Sequence, residues 1–138
     1  MGNARRAAAA AAVAIGCNLA SPSLAADAGD SSAGKQVFAR CAGCHSINPG
    51  TNGVGPSLAG VVGRKAATES GYGYSPALKG ANLTWDERTL DNYLEAPGAL
   101  VHGTKMFINV PSTTDRANVI AYLSTLSAPP HGASAGDK

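Results

Sequence analysis

The chain has 138 residues, 44% of them apolar and 14% charged, and a formal charge of +2. That length suggests one domain, and the near balance of charge argues against nucleic acid as a partner. With only seven aromatic side chains and 17 glycines, the core is modest, and an apolar ligand at its centre would add much to it.

Residues 1–25 have the layout of a cleaved secretory signal. Arg5 and Arg6 form a positive start, Ala7 to Gly16 an apolar stretch, and Ser23-Leu24-Ala25 or Leu24-Ala25-Ala26 a small-residue cleavage site. The apolar run is short for a membrane span; an uncleaved anchor, or lipid on Cys17, is the lesser alternative. Cleavage removes Cys17 and both arginines, leaving nine Lys plus Arg against nine Asp plus Glu. Any electrostatic docking must then come from a local patch.

Residues 26–32 read as a flexible start, followed by the main domain over 33–128 and a disordered tail over 129–138. Ser31 or Ser32 is expected to cap a first helix running through Lys35, Val37, Phe38 and Cys41. Asn48 to Leu58 is a loop by composition. Ser75-Pro76 reads as an N-cap with proline at the first helical position, opening a short helix that stops at Gly80. Thr84 and Glu87 have capping-box spacing ahead of a helix carrying Leu90, Tyr93 and Leu94, which ends before Pro97. Gly98 to Val110 is expected to be irregular. Ser112 to Asp115 opens a last helix with an apolar stripe of Val119, Ile120, Leu123 and Leu126, stopped by Pro129-Pro130. The pattern is all-α, with long glycine-rich loops of the kind that wrap something.

Cys41-Ala42-Gly43-Cys44-His45 names what is wrapped. C-x-x-C-H is the attachment sequence of a c-type haem. Two thiols three residues apart share one face of a helical turn, where each can join one vinyl group. His45 follows where its imidazole can rise under the iron. A zinc site needs two further ligands of matching spacing, and after Cys44 there are only His102 and His131. A thioredoxin-like pair does not require the histidine. With Cys17 removed, the two haem cysteines are the only ones, so no structural disulfide forms.

Iron held by His45 has a sixth position. Met106 is the candidate, with His102, His131 and Lys105 behind it. A thioether with histidine favours ferrous iron, raises the potential and closes the metal to outside molecules, which suits electron transfer. Core filling is the other role open to a lone methionine.

The chain resembles the class I c-type cytochromes, close to the mitochondrial and small bacterial soluble types. The likeness runs over about residues 33 to 127, through Cys41 to His45, Gly55-Pro56-Ser57-Leu58, Gly63-Arg64-Lys65, Gly71 to Ser75, Trp85, Tyr93 to Pro97, Gly103 to Met106 and Ile120 to Leu123. It implies the class I cytochrome c fold, with about four to five short helices and long loops wrapping one haem c bound through Cys41 and Cys44. It implies the Pro56 carbonyl as acceptor for the His45 Nδ1 proton, and Tyr74 and Trp85 as propionate partners. Arg64 would offset propionate charge, Tyr93 lie near the Met106 sulfur, and Thr104 hold the other propionate or the ligand loop. Gly34 and Phe38 would cross the last helix near Tyr122. Against the mitochondrial pattern, Ile108 stands where an aromatic is usual, with Phe107 beside it. His102 stands where proline is usual, and Leu78 replaces a polar residue. Lys35 and Lys105 are the preferred docking cations.

The reading is an exported, periplasmic, monomeric electron carrier with His45–Met106 ligation, not an enzyme. Its donor is a cytochrome bc1-type complex or a dehydrogenase, and its acceptor a terminal oxidase or reductase. The rivals are an open-iron haem enzyme, which Met106 opposes, and a fixed electron-transfer subunit of a dehydrogenase.

Overall fold

A computed structural model describes residues 28–126. The proposed signal and Cys17, residues 26 and 27, Pro129-Pro130 and the tail with His131 lie outside them. Among the described residues there are five helices: α1 (Ser31–Phe38), α2 (Pro76–Gly80), α3 (Glu87–Glu95), α4 (Pro97–Leu100) and α5 (Thr113–Thr125). Strand pairing among them is limited to one isolated antiparallel bridge between Lys65 and Thr84. No helix of these residues is long and apolar enough to cross a membrane.

The frame is set by α1 crossing α5. A Cβ on Gly34 would fall 1.9 Å from the Asn118 carbonyl oxygen and 2.9 Å from the Tyr122 Cβ. Only glycine lets the two backbones approach so closely. One turn on, the rings of Phe38 and Tyr122 pack with centroids 5.4 Å apart. Val119, Ile120 and Leu123 turn the rest of the α5 stripe into the core, beside Leu90 and Leu94 of α3.

Several local expectations need correction. The cap of α1 is Asp30, whose carboxylate accepts from the amides of Ser32 and Ala33; Ser31 and Ser32 lie inside the first turn. Residues just ahead of α1 also touch α5. The Asp30 amide donates to Asn118 Oδ1 at 2.8 Å, and Gly29 lies against the Ala117 carbonyl of α5. Helix α1 stops at Phe38 rather than reaching Cys41, because the backbone tightens there: the amides of Ala39, Arg40 and Cys41 each bond three residues back. A separate turn then presents the C-x-x-C-H motif, closed by the amides of Cys44 and His45 on the Cys41 carbonyl.

Thr84 does not cap α3. It is held extended in the bridge to Lys65, while the Trp85 amide bonds the Arg64 carbonyl. The cap is Asp86, which accepts from the Thr89 amide at 2.7 Å. The stretch after Pro97 is not wholly irregular either: proline at the first helical position opens the single turn of α4. Ser75 and Ser112 cap α2 and α5 as expected, accepting from the amides of Leu78 and Asp115.

The Asp86 cap makes α3 acid-sensitive. Its amide bond from Thr89 holds the Asp86 carboxyl below the usual carboxylate range. A folded pKa below the unfolded one gives stability that is complete above about pH 4 and is lost as the pH falls through the lowered value. Asp86→Asn caps without titrating, so its melting temperature should fall less than that of the unsubstituted protein between about pH 5 and 3. Parallel acid profiles would refute the assignment.

Candidate functional site

Between the α1–α5 crossing and the loops lies a cavity of ≈ 380 Å³. All ten residues singled out from the sequence line it: Cys41, Cys44, His45, Pro56, Arg64, Tyr74, Trp85, Tyr93, Thr104 and Met106. Its wall is mainly apolar, with Phe38, Leu90, Leu94 and Val119 at the back. Its charged lining is Arg40, Arg64 and Lys105, with no Asp or Glu among the described residues.

The His45 ring is oriented by the backbone of a neighbouring loop. Its Nδ1 lies 2.8 Å from the Pro56 carbonyl oxygen. With the proton on Nδ1 donated to that oxygen, Nε2 keeps its lone pair for a metal. The carbonyl is itself fixed. The Gly55 amide bonds the Cys44 carbonyl, and the Leu58 amide bonds the Ser46 carbonyl. Ser57, fully buried, donates its amide to Asn52 Oδ1 and its hydroxyl to the Asn48 carbonyl. Asn52 also donates to the Ser70 carbonyl. A side chain on Gly55 would fall 2.3 Å from the imidazole Cε1, so glycine here makes room for the ring. Sequence reasoning gave Asn52 no role. Its only signal was an Asx residue in a glycine-rich loop, which more often makes a local turn.

The thiols differ in setting. Cys41 is half-buried and Cys44 exposed. Burial pushes the Cys41 thiol up, against the opposing pull of Arg40. Arg64, expected to meet a propionate, is already engaged: it pairs with Glu69 at 2.6 Å and donates to the carbonyls of Ala59 and Ser57. Its charge is therefore matched from within the protein, although it still faces the cavity. The Tyr74 oxygen accepts from the Glu69 amide, leaving its hydroxyl proton to be donated. Burial pushes the phenols of Tyr74 and Tyr93 up, so both stay protonated donors at neutral pH. The Trp85 ring lies 4.9 Å, centroid to centroid, from Tyr93.

Met106 is half-buried on the cavity wall. The hydroxyls of Tyr93 and Thr104 hydrogen-bond each other, and Thr104 Oγ1 also accepts from the Met106 amide at 3.3 Å. Two bonds tie loops across the mouth: Lys105 Nζ to the Gly73 carbonyl and the Tyr72 hydroxyl to the Val54 carbonyl, both 2.7 Å. Lys105 is thus occupied as a strap rather than wholly free as a docking cation. His102 does not line the cavity; it borders a separate recess on the far side of Thr104 and Met106.

An apolar chamber with paired thiols, an oriented imidazole, a thioether and a lining that holds basic but no acidic side chains fits a flat, apolar, carboxylate-bearing metal macrocycle, although Arg40 and Arg64 also pair with Asp115 and Glu69 outside that lining. Known proteins agree. The sequence model described as cytochrome c matches residues 31–127. Cytochrome c2 of Rhodoblastus acidophilus is 53% identical over 103 residues, covering 73% of this chain and 96% of that protein. Cytochrome c2 of Rhodomicrobium vannielii is 49% identical over 113 residues, covering 80% and 90%. Among solved structures, cytochrome cH from Methylobacterium extorquens superposes with a TM-score of 0.66 at 46% identity, covering 70% of this chain and 99% of that one. Cytochrome c2 from Rhodospirillum centenum superposes at 0.70 and 33%, covering 72% and 100%. Sequence, fold and cavity therefore place the chain in the class I c-type cytochromes, haem proteins that carry electrons rather than catalyse a reaction.

Proposed function

We propose that the chain is a periplasmic monohaem carrier whose haem c is joined to Cys41 and Cys44, with His45 and Met106 as the axial ligands. The observation supporting the ligand assignment is that Met106 lines the same cavity as His45, whereas His102 borders only the recess that shares Thr104, Met106 and Phe107 with it. When bound, haem supplies an iron that takes up and releases one electron. The chain does the rest. Pro56 orients the imidazole, and Tyr93 with Thr104 holds the Met106 backbone. Tyr74, Trp85 and Arg64 line the cavity and would hold the haem carboxylates, with the charge of Arg64 balanced by Glu69. The apolar wall keeps water from the metal, which narrows the change in solvation between redox states.

The thioether matters for the potential, since methionine with histidine favours the reduced state. Met106→Ala should lower the potential by on the order of a tenth of a volt, within the roughly 0.8 V that axial ligands span. The near-infrared charge-transfer band of a methionine–iron bond should vanish from its oxidised spectrum. An unsubstituted protein with no such band, or a variant that keeps the band, would sink the assignment.

The protein passes single electrons as a monomer between a cytochrome bc1-type complex or dehydrogenase and a terminal oxidase or reductase. Membrane fractions that reduce or oxidise it in spectroscopic assays would identify the pair. Stable co-purification with a large dehydrogenase would replace the mobile carrier by a fixed subunit.

A further inference from the structure

We infer that Arg116 is a positioning residue for the Met106 loop, clamping its downstream end so that the thioether stays on the cavity. The inference rests on the methionine ligation proposed above. It starts from a cation where one is costly. Arg116, in the first turns of α5, is 4% exposed. A guanidinium so buried needs partners for all its donors. Nε meets Asp91 Oδ1 of α3 at 2.7 Å. NH1 is shared by two successive carbonyls, Val110 at 3.1 Å and Pro111 at 2.9 Å. NH2 reaches Thr113 Oγ1 at 3.4 Å and lies 3.6 Å from Glu95.

Those two carbonyls are where the ligand loop comes home. Four residues after Met106, the Val110 amide bonds the Leu94 carbonyl at 2.7 Å and the Val110 side chain is buried. Upstream, the loop is pinned by Thr104, through Tyr93 and the Val101 carbonyl, and by Lys105 on Gly73. Between the pins, Phe107 and Ile108 are 87% and 61% exposed and contribute no anchoring. The position of Met106 is therefore fixed by the two ends, and at the downstream one Arg116 joins the Val110 amide on Leu94 and the Asn109 side-chain amide, which donates to the Glu95 carbonyl at 3.4 Å. The planar fork suits this role, because lysine could keep the ion pair with Asp91 but could not span both carbonyls and the carboxylate at once.

Imidazole offered to the oxidised holoprotein reads the loop directly, because it binds only when Met106 leaves. Apparent affinity scales with the fraction of open loop. Arg116→Lys should bind imidazole at least tenfold more tightly, and its near-infrared methionine band should weaken. Asp91→Asn, which removes the charge partner but leaves the carbonyl bonds, should stay within threefold. Asp30→Ala, which removes the cap on Ser32 and Ala33 and touches none of the loop's anchors, is the control for stability alone. An unchanged affinity in Arg116→Lys, or a shift no larger than that of Asp30→Ala, overturns the clamp. A Val110 amide that exchanges hydrogen as fast as those of Phe107 and Ile108 in the unsubstituted protein overturns it without any variant. An unsubstituted protein with no methionine band overturns the ligation reading itself, and the clamp with it.

Discussion

A Gly34→Ala protein is expected to lose about 2 kcal/mol or more of its stability, although alanine is the better helix former. Glycine in a helix interior costs roughly 0.5–1 kcal/mol relative to alanine, so propensity alone predicts a gain. Sterics decide otherwise. The new Cβ would sit 1.9 Å from a backbone oxygen of α5 and 2.9 Å from the Tyr122 Cβ. Neither can swing away as a long side chain can, so α1 and α5 must separate. Overpacking of this kind costs typically about 1–3 kcal/mol and at times more, and separation also strips the contact between Phe38 and Tyr122. Gly80→Ala is the matched control, because a Cβ there meets nothing within 4 Å. Denaturant titration of the two holoproteins should show a lower midpoint for Gly34→Ala alone. Equal midpoints would mean that the helices are not held as closely as described.

The second large effect is loss of the fold when haem cannot be attached. At about 24 cal/mol per Å³ of empty volume, a dry void of ≈ 380 Å³ would cost about 9 kcal/mol. Water entering through the mouth reduces that figure, but wetting leaves apolar walls facing solvent. A small domain has only about 5–15 kcal/mol in all. The Cys41→Ala, Cys44→Ala protein should accordingly show little native helix by circular dichroism. Native helix content without haem would show that the protein walls stand unaided.

The part of this molecule written most plainly in its sequence is the part that is local. Cys41 to His45 states its chemistry within five residues, and Ser75-Pro76 and Ser112 announce their helices because capping is settled between neighbours. The errors arise where two local signals compete and a distant residue decides. Thr84 and Glu87 have the spacing of a capping box, but Lys65 draws Thr84 into a bridge and Asp86 takes over. Ser31 and Ser32 are good caps, yet Asn118 of α5 fixes Asp30 in that position. Other pairings have no local signal at all: only the fold brings Glu69 against Arg64. Arg116 carried no sequence signal. A lone arginine near a helix start reads as solvent-exposed, and its burial depends on Asp91, 25 residues away.

The crossing of α1 with α5 also governs timing. Helix α1 lies at one end of the described chain and its partner at the other, so while the protein is being made α1 has nothing to pack against until residues 113–125 exist. Contacts this distant in sequence form late, since the long loop between them must be closed first. From their own synthesis until residues 113–125 exist, Cys41 and Cys44 therefore sit on an unpacked segment. Over that interval the Cys41 thiol, half-buried in the folded protein, is as open to chemistry as that of Cys44, and the cavity beside the α1–α5 crossing closes only at the end of it.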